Sequence, residues 1–189
     1  MYKVSKCFNC DLSLFRNAIL QGTGVDDADI LFVLDSPSKA DDNTGQLLSN
    51  KTGLYFDYIM DKLNFKPYSF ITYLVKCKTP NRQASSDEIN ACKSHFVEEF
   101  KEIRPKMVIL CGSNVVRGFF NTQLPISYIH GTYRIVGNTI YCITYNLNIL
   151  NKDIDTRTEL IHDLIKFGYT YQQLNPLFQF NDLNKLYEI

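Results

Sequence analysis

The sequence predicts an α/β protein of three layers, with helices on both faces of a central, mostly parallel sheet of four to five strands. Two features carry this reading. Short apolar runs alternate along the chain with helix-patterned segments, and most of those runs end in loops rich in Ser, Pro, Gly or Asn. The composition, 45% hydrophobic against 21% charged, is that of a chain with a packed core and excludes wholesale disorder. Its 189 residues fit one domain, placed at 1–168, with a C-terminal extension at 169–189.

Each element follows from its own pattern. Residues 28–34, ADILFVL, read as a buried strand that runs into the loop Asp35-Ser36-Pro37-Ser38. Residues 52–64 place Leu54, Ile59 and Leu63 on one helical stripe. SFITYLVK, residues 69–76, reads as a second strand. Ser85 and Glu88 have the spacing of a capping box, so a helix opens there and runs to about Ile103, before Pro105. KMVILC, 106–111, is a third strand, and Gly112-Ser113-Asn114 leads into a helix near 114–120. Strands at 133–136 and 139–144 meet at the turn Gly137-Asn138. A last helix covers about 155–167, and from Tyr169 onward an aromatic-rich tail either closes the core or meets a partner. In such folds ligands gather at the carboxyl ends of the strands, here near Asp35, Tyr73 to Cys77, Gly112 and Tyr145 to Asn148.

Charge and targeting features narrow the function class. Twenty Lys and Arg balance twenty Asp and Glu, which excludes a polybasic polymer binder but leaves room for a local basic groove. No apolar run reaches the roughly 18 residues of a membrane span, so a soluble, cytoplasmic protein with no membrane partner is expected (host cytoplasm if viral). Sixteen asparagines and only five alanines suggest AT-rich coding DNA, as in many phages.

Cys7-Phe8-Asn9-Cys10 presents two thiols at C-x2-C spacing, and Cys77 and Cys92 are able to complete a four-thiolate shell. That set suits zinc or an iron–sulfur cluster, with unligated thiols as the alternative, and spacing alone does not separate the metals. Cys111 and Cys142 end apolar strands and read as buried thiols.

Taken in order, these segments resemble the iron–sulfur uracil-DNA glycosylases of family 4 and related phage polymerase-associated domains. The resemblance covers about residues 4–165 and is strongest over FITYLVKCKTPNRQASSDEINAC, where Lys76, Cys77, Pro80, Asn81, Arg82, Glu88 and Cys92 stand in the places of the family's pattern. It also takes in VLDSPS, DDNTG, Gly53, KEIRPKMVILCGSNV and ISYIHGTYR with Gly131. The resemblance implies a uracil-DNA glycosylase-like fold and a 4Fe–4S cluster held by Cys7, Cys10, Cys77 and Cys92. In the family that cluster ties the N-terminal segment to the loop and helix after the second strand.

The resemblance also locates the base pocket, and there this chain departs from the family four times. Where the family reads G-E-A-P-G, this chain has Leu34-Asp35-Ser36-Pro37-Ser38, so Asp35 keeps a shorter carboxylate beside Ser36 and Pro37. Leu48 replaces the phenylalanine that stacks on the flipped base, and Tyr73 the asparagine that reads its edge. Asn146 stands for the histidine that donates to the developing oxyanion.

Together these changes predict that uracil excision is absent or vestigial and that Tyr73 fills the old base site. The expected function is that of a degenerate glycosylase-fold protein serving as a DNA- or protein-binding accessory factor in phage replication or repair. Its partners would be DNA, held weakly through phosphates, and a DNA polymerase or another replication protein. Lys76, Lys78, Asn81 and Arg82 are the expected phosphate contacts. Two other readings stand beside it: a divergent active glycosylase using Asp35 and Asn146 on uracil or another base, and an inhibitor or assembly protein that does not bind DNA. The three histidines lie outside the four loops and are read as ordinary surface or core residues.

Overall fold

The computed structural model describes residues 2–186. Its elements are, in chain order, β1 (Thr23–Gly24), β2 (Ile30–Leu34), α1 (Lys39–Thr44), α2 (Lys51–Lys62), β3 (Ser69–Tyr73), α3 (Ser86–Ile103), β4 (Met107–Cys111), α4 (Ser113–Phe120), α5 (Ile126–Ile129), β5 (Thr132–Val136), β6 (Thr139–Thr144) and α6 (Ile154–Leu174). The strands form one sheet in the order β1-β3-β2-β4-β6-β5. Its four central strands are parallel, and the edges β1 and β5 run antiparallel to their neighbours. The mostly parallel sheet is as expected, with one strand more: the two-residue β1 carries no apolar run and leaves no mark in the sequence.

Alternation along the central strands builds the layers. Ile30, Phe32 and Leu34 of β2, with Met107, Ile109 and Cys111 of β4, point to a core shared with α2 and α6. Leu31 and Val33, with Val108 and Leu110, point the other way into a core shared with α3 and α4. Burial on both faces explains why these strands read as continuous apolar runs. The last helix runs past the expected end at 167 to Leu174, and beyond it Phe178 and Leu186 are fully buried against the first core. The aromatic tail therefore packs on the fold, and ring contacts of Phe178 with Phe65, Tyr68 and Tyr171 show how.

From β2 the chain crosses to β3 on one side and returns to β4 on the other. The order reverses between β2 and β4, and the crevice at their carboxyl ends is where α/β sheets bind ligands.

Helix α3 opens as expected. Ser85 Oγ accepts from the Glu88 main-chain N–H, and the Glu88 carboxylate accepts from Ser85 N–H at 2.7 Å. Arg82 grips the same carboxylate through two nitrogens at 2.6 and 2.8 Å, and with the Ser85 contacts this outweighs burial and holds the Glu88 pKa down at about 2. Because the folded value is depressed, this stabilisation is complete above the ordinary carboxylate range and is lost as pH falls toward 2. The expected outcome is that wild type exceeds Glu88→Gln in Tm by a steady margin above about pH 5, and that the margin closes on acidification. Thermal unfolding followed by circular dichroism across that range checks it.

Candidate functional site

At the reversal of strand order lies a cavity of about 190 Å³, whose lining includes Asp35, Leu48, Tyr73 and Asn146. The four loops that the sequence marked as the base pocket do meet in space. Ser36 and Pro37 line it as well, and Asp41, Asn50 and Thr52 complete the wall. Tyr73 does not fill this space: its ring forms one wall, and its hydroxyl donates to Asp41 Oδ2 at 2.9 Å. The expectation of a full plug is corrected accordingly, because the phenol is drawn off by the Asp41 carboxylate.

Asp41 is the residue that sequence reasoning missed. Its carboxylate is almost wholly buried and accepts from Ser38 N–H at 2.7 Å, Ser49 N–H at 2.8 Å, Ser49 Oγ at 3.0 Å and the Tyr73 hydroxyl. Burial alone would raise its pKa, but the donors from Ser38, Ser49 and Tyr73 prevail and lower it. The clue was present: Ser38 and Asp41 have S-x-x-D spacing, and in the structure they form a full capping box at the start of α1.

Asp35 stands at the end of β2, where Asn114 Nδ2 donates to Oδ1 at 2.7 Å. Arg117 in turn donates to Asn114 Oδ1, so α4 aims the amide that holds Asp35 across the crevice. Burial raises the Asp35 pKa, opposed in part by Asn114 and Arg117. Asn146 caps the following 3-10 turn, its Oδ1 accepting from Asn148 N–H at 2.9 Å. Gly112 lets β4 turn close beside it: φ is +111°, and a Cβ there would lie 3.0 Å from Asn146 Cβ.

Leu48 sits at φ +54°, in the left-handed region that leucine rarely adopts. Its carbonyl oxygen would be 1.7 Å from any Cβ at position 53, so the tight approach of this loop to α2 requires Gly53.

An open groove of about 590 Å³ adjoins the cavity and is lined by Lys39, Lys78, Asn81 and Arg82 among others. Lys78, Asn81 and Arg82 therefore share one surface, and Lys39, at the start of α1, joins them unforeseen. Lys76 does not. It is 1% exposed, with Nζ 2.6 and 2.7 Å from the Glu99 carboxylate and in contact with Thr72 Oγ1, so its expected role as a phosphate contact is withdrawn. Arg82 lines the groove with its guanidinium already engaged by Glu88.

Past the carboxyl end of β3, Cys7, Cys10, Cys77 and Cys92 line a second, small cavity with Leu12, Ile19, Val75 and Ala91. None of the four is in a disulfide. Burial raises the pKa of Cys77, against the opposing Arg16, and pushes Cys92 up to about 11. Among the described residues no three His, Cys, Asp or Glu side chains stand close enough to hold a single ion. A single zinc would need the sulfurs within about 2.3 Å of one point. By donor chemistry, four thiols lining one recess are the ligand set that an iron–sulfur cluster takes. His95, read from sequence as ordinary, has Nε2 3.3 Å from Cys7 Sγ, and Arg16 Nη1 is 3.4 Å from Cys77 Sγ.

The sequence profile of the uracil DNA glycosylase superfamily matches residues 21–165, well over half of the chain. The chain belongs to that superfamily. It is similar to the type-4 uracil-DNA glycosylases of Saccharolobus solfataricus (32% identical over 58% of this chain and 52% of the relative), Sulfurisphaera tokodaii (31%, 63% and 56%) and Thermotoga maritima (27%, 68% and 69%). It thus spans a little over half the length of the first two. No described helix is long and apolar enough to cross a membrane.

The Asp41 network sets a stability expectation. In Asp41→Asn an amide NH2 meets some of the donors that the carboxylate accepts, leaving buried groups unpaired at a cost of about 1–3 kcal/mol. Chemical denaturation should show that loss, and the Tyr73 ring should gain mobility by NMR line shape.

Proposed function

We propose that this chain is a DNA-binding protein of the uracil DNA glycosylase superfamily in which uracil excision has been lost, stabilised by a 4Fe–4S cluster on Cys7, Cys10, Cys77 and Cys92. The observation that carries the loss is Tyr73. Where the resemblance puts an amide with one donor and one acceptor for the uracil edge, this chain has a phenol whose proton is committed to Asp41. Leu48 offers packing area without an aromatic face, and Asn146 supplies a neutral donor where an imidazole would face the leaving base. Losing one oxyanion donor costs on the order of 100- to 1000-fold in rate, and here the base-reading contact is lost with it.

The groove beside the pocket supports DNA binding. Lys39 and Lys78 line it with Asn81 and Arg82, while the chain as a whole is neutral, so few phosphates would be neutralised and affinity would be modest and salt-sensitive. A role as an accessory factor beside a DNA polymerase or another replication protein is the context this reading favours.

A second reading is favoured by one observation, the cavity itself. About 190 Å³ remains between Asp35 and Asn146, enough to keep a divergent glycosylase in view, with Asp35 orienting water and Asn146 donating to the base.

One experiment separates the two: uracil release from single- and double-stranded DNA, run beside a binding titration over increasing salt. The expected result is no release above background, with binding that weakens as salt rises. Turnover by the unmodified protein would establish the divergent enzyme, and release of a different base would define its lesion. Undetectable binding even at low salt would overturn the DNA-binding function in favour of a protein partner.

Iron supplies no catalytic step in this reading; the thiols of Cys7, Cys10, Cys77 and Cys92 would hold it as a staple between the N-terminal segment, the segment after β3, and α3. Purified without oxygen, the protein should be brown and carry four irons and four sulfides, as the cluster's formula requires. Cys77→Ala should lose the colour and much of the solubility. Zinc alone, or four thiols that alkylate in the native protein, would refute the cluster.

A further inference from the structure

We infer that Arg16 and His95 are N–H donors to the cluster's thiolates and set its reduction potential. The inference rests on the cluster reading above and concerns what surrounds the sulfurs rather than which sulfurs bind.

Arg16 bridges both halves of the thiol set. Nη1 lies 3.4 Å from Cys77 Sγ, while Nη2 donates to the Cys7 carbonyl at 2.6 Å. Its guanidinium also stands 5.8 Å from the centre of the Phe8 ring. Three contacts in three directions fix the planar fork, so the N–H toward Cys77 is aimed and not incidental.

His95 lies almost one helical turn beyond Cys92 on α3. Nε2 is 3.3 Å from Cys7 Sγ, and Nδ1 is 2.8 Å from the Tyr2 hydroxyl. Two tautomers satisfy these distances when Cys7 is a thiol. Once it is a thiolate it has no proton to give, and a neutral imidazole then has one arrangement that satisfies both ends: the Tyr2 hydroxyl donates to Nδ1, and Nε2–H donates to sulfur. A third donor is main-chain: Lys76 N–H lies 3.4 Å from Cys92 Sγ. The two side-chain donors come from different elements, one from the N-terminal loop and one from α3.

A donor to a ligating sulfur stabilises the more electron-rich state of a cluster over the oxidised one, and so raises its potential. Arg16 adds a full positive charge to that effect, whereas neutral His95 adds a dipole. Arg16 should therefore contribute the larger share.

The test is voltammetry of the loaded protein on an electrode, which supplies and removes the electron, with iron and sulfide counted for every sample. In Arg16→Ala the potential should move to more negative values. It should move in the same direction, by less, in His95→Phe. His95→Gln, which keeps an N–H donor, should stay nearer to wild type, and the Arg16→Ala/His95→Phe pair should show close to the sum of the single shifts. Full loading with unchanged potentials would overturn the inference and leave the cluster reading intact. Wild-type protein without iron and sulfide would overturn both. If Arg16→Ala fails to load, His95→Phe decides, since it removes one N–H···S contact and no main-chain tie. Failure of both to load would assign the two residues to assembly and overturn their potential-setting role.

Discussion

A single buried carboxylate fixes the carboxyl edge of the sheet. Asp41 collects N–H and O–H donors from the loop after β2, the loop before α2 and the end of β3. Its neighbour Asp42 does the same in the opposite direction, accepting from the main-chain N–H groups of Asn17 and Ala18 and from the Asn17 side chain. A charge out of water is tolerated only when its lone pairs are met, and here each pairing positions a different loop. The shape of the cavity is thus decided by residues that are not themselves its expected chemistry.

The interior behind the cysteines follows a related rule with a different partner. Lys76, in the segment that follows β3, and Glu99 of α3 form an ion pair that is almost fully removed from solvent. Burial pulls the Lys76 pKa down and Glu99 pulls it back. Removing either partner alone would leave an uncompensated buried charge. Its position one residue before Cys77 makes Lys76 look like surface basic sequence when read along the chain.

That is the limit of what sequence patterning conveys here. The central strands were legible because both faces are buried and the apolar runs are unbroken, and α3 because its capping box uses Glu. The helix α1 was passed over because its box uses Asp and its six residues, KADDNT, carry no apolar stripe. The four loops were located by their resemblance to a known pattern, and the residues named on them line one cavity. What each side chain does there was not legible, because it depends on partners far away in sequence. Tyr73 was expected to fill space, and it leans on a carboxylate 32 positions earlier. His95 was set aside for lying outside the loops, and its partners are residues 2 and 7.

The placement of the thiols along the chain has a consequence in time. All four precede β4, which begins at Met107, so the recess they line is made from the N-terminal segment, the segment that follows β3, and α3 alone. During synthesis these parts leave the ribosome first. At that stage β2 has its β3 neighbour but lacks β4, and five consecutive apolar residues face an unpaired edge. A fastener acting on the first half of the chain would hold α3 over that half-sheet while the other half is still being made.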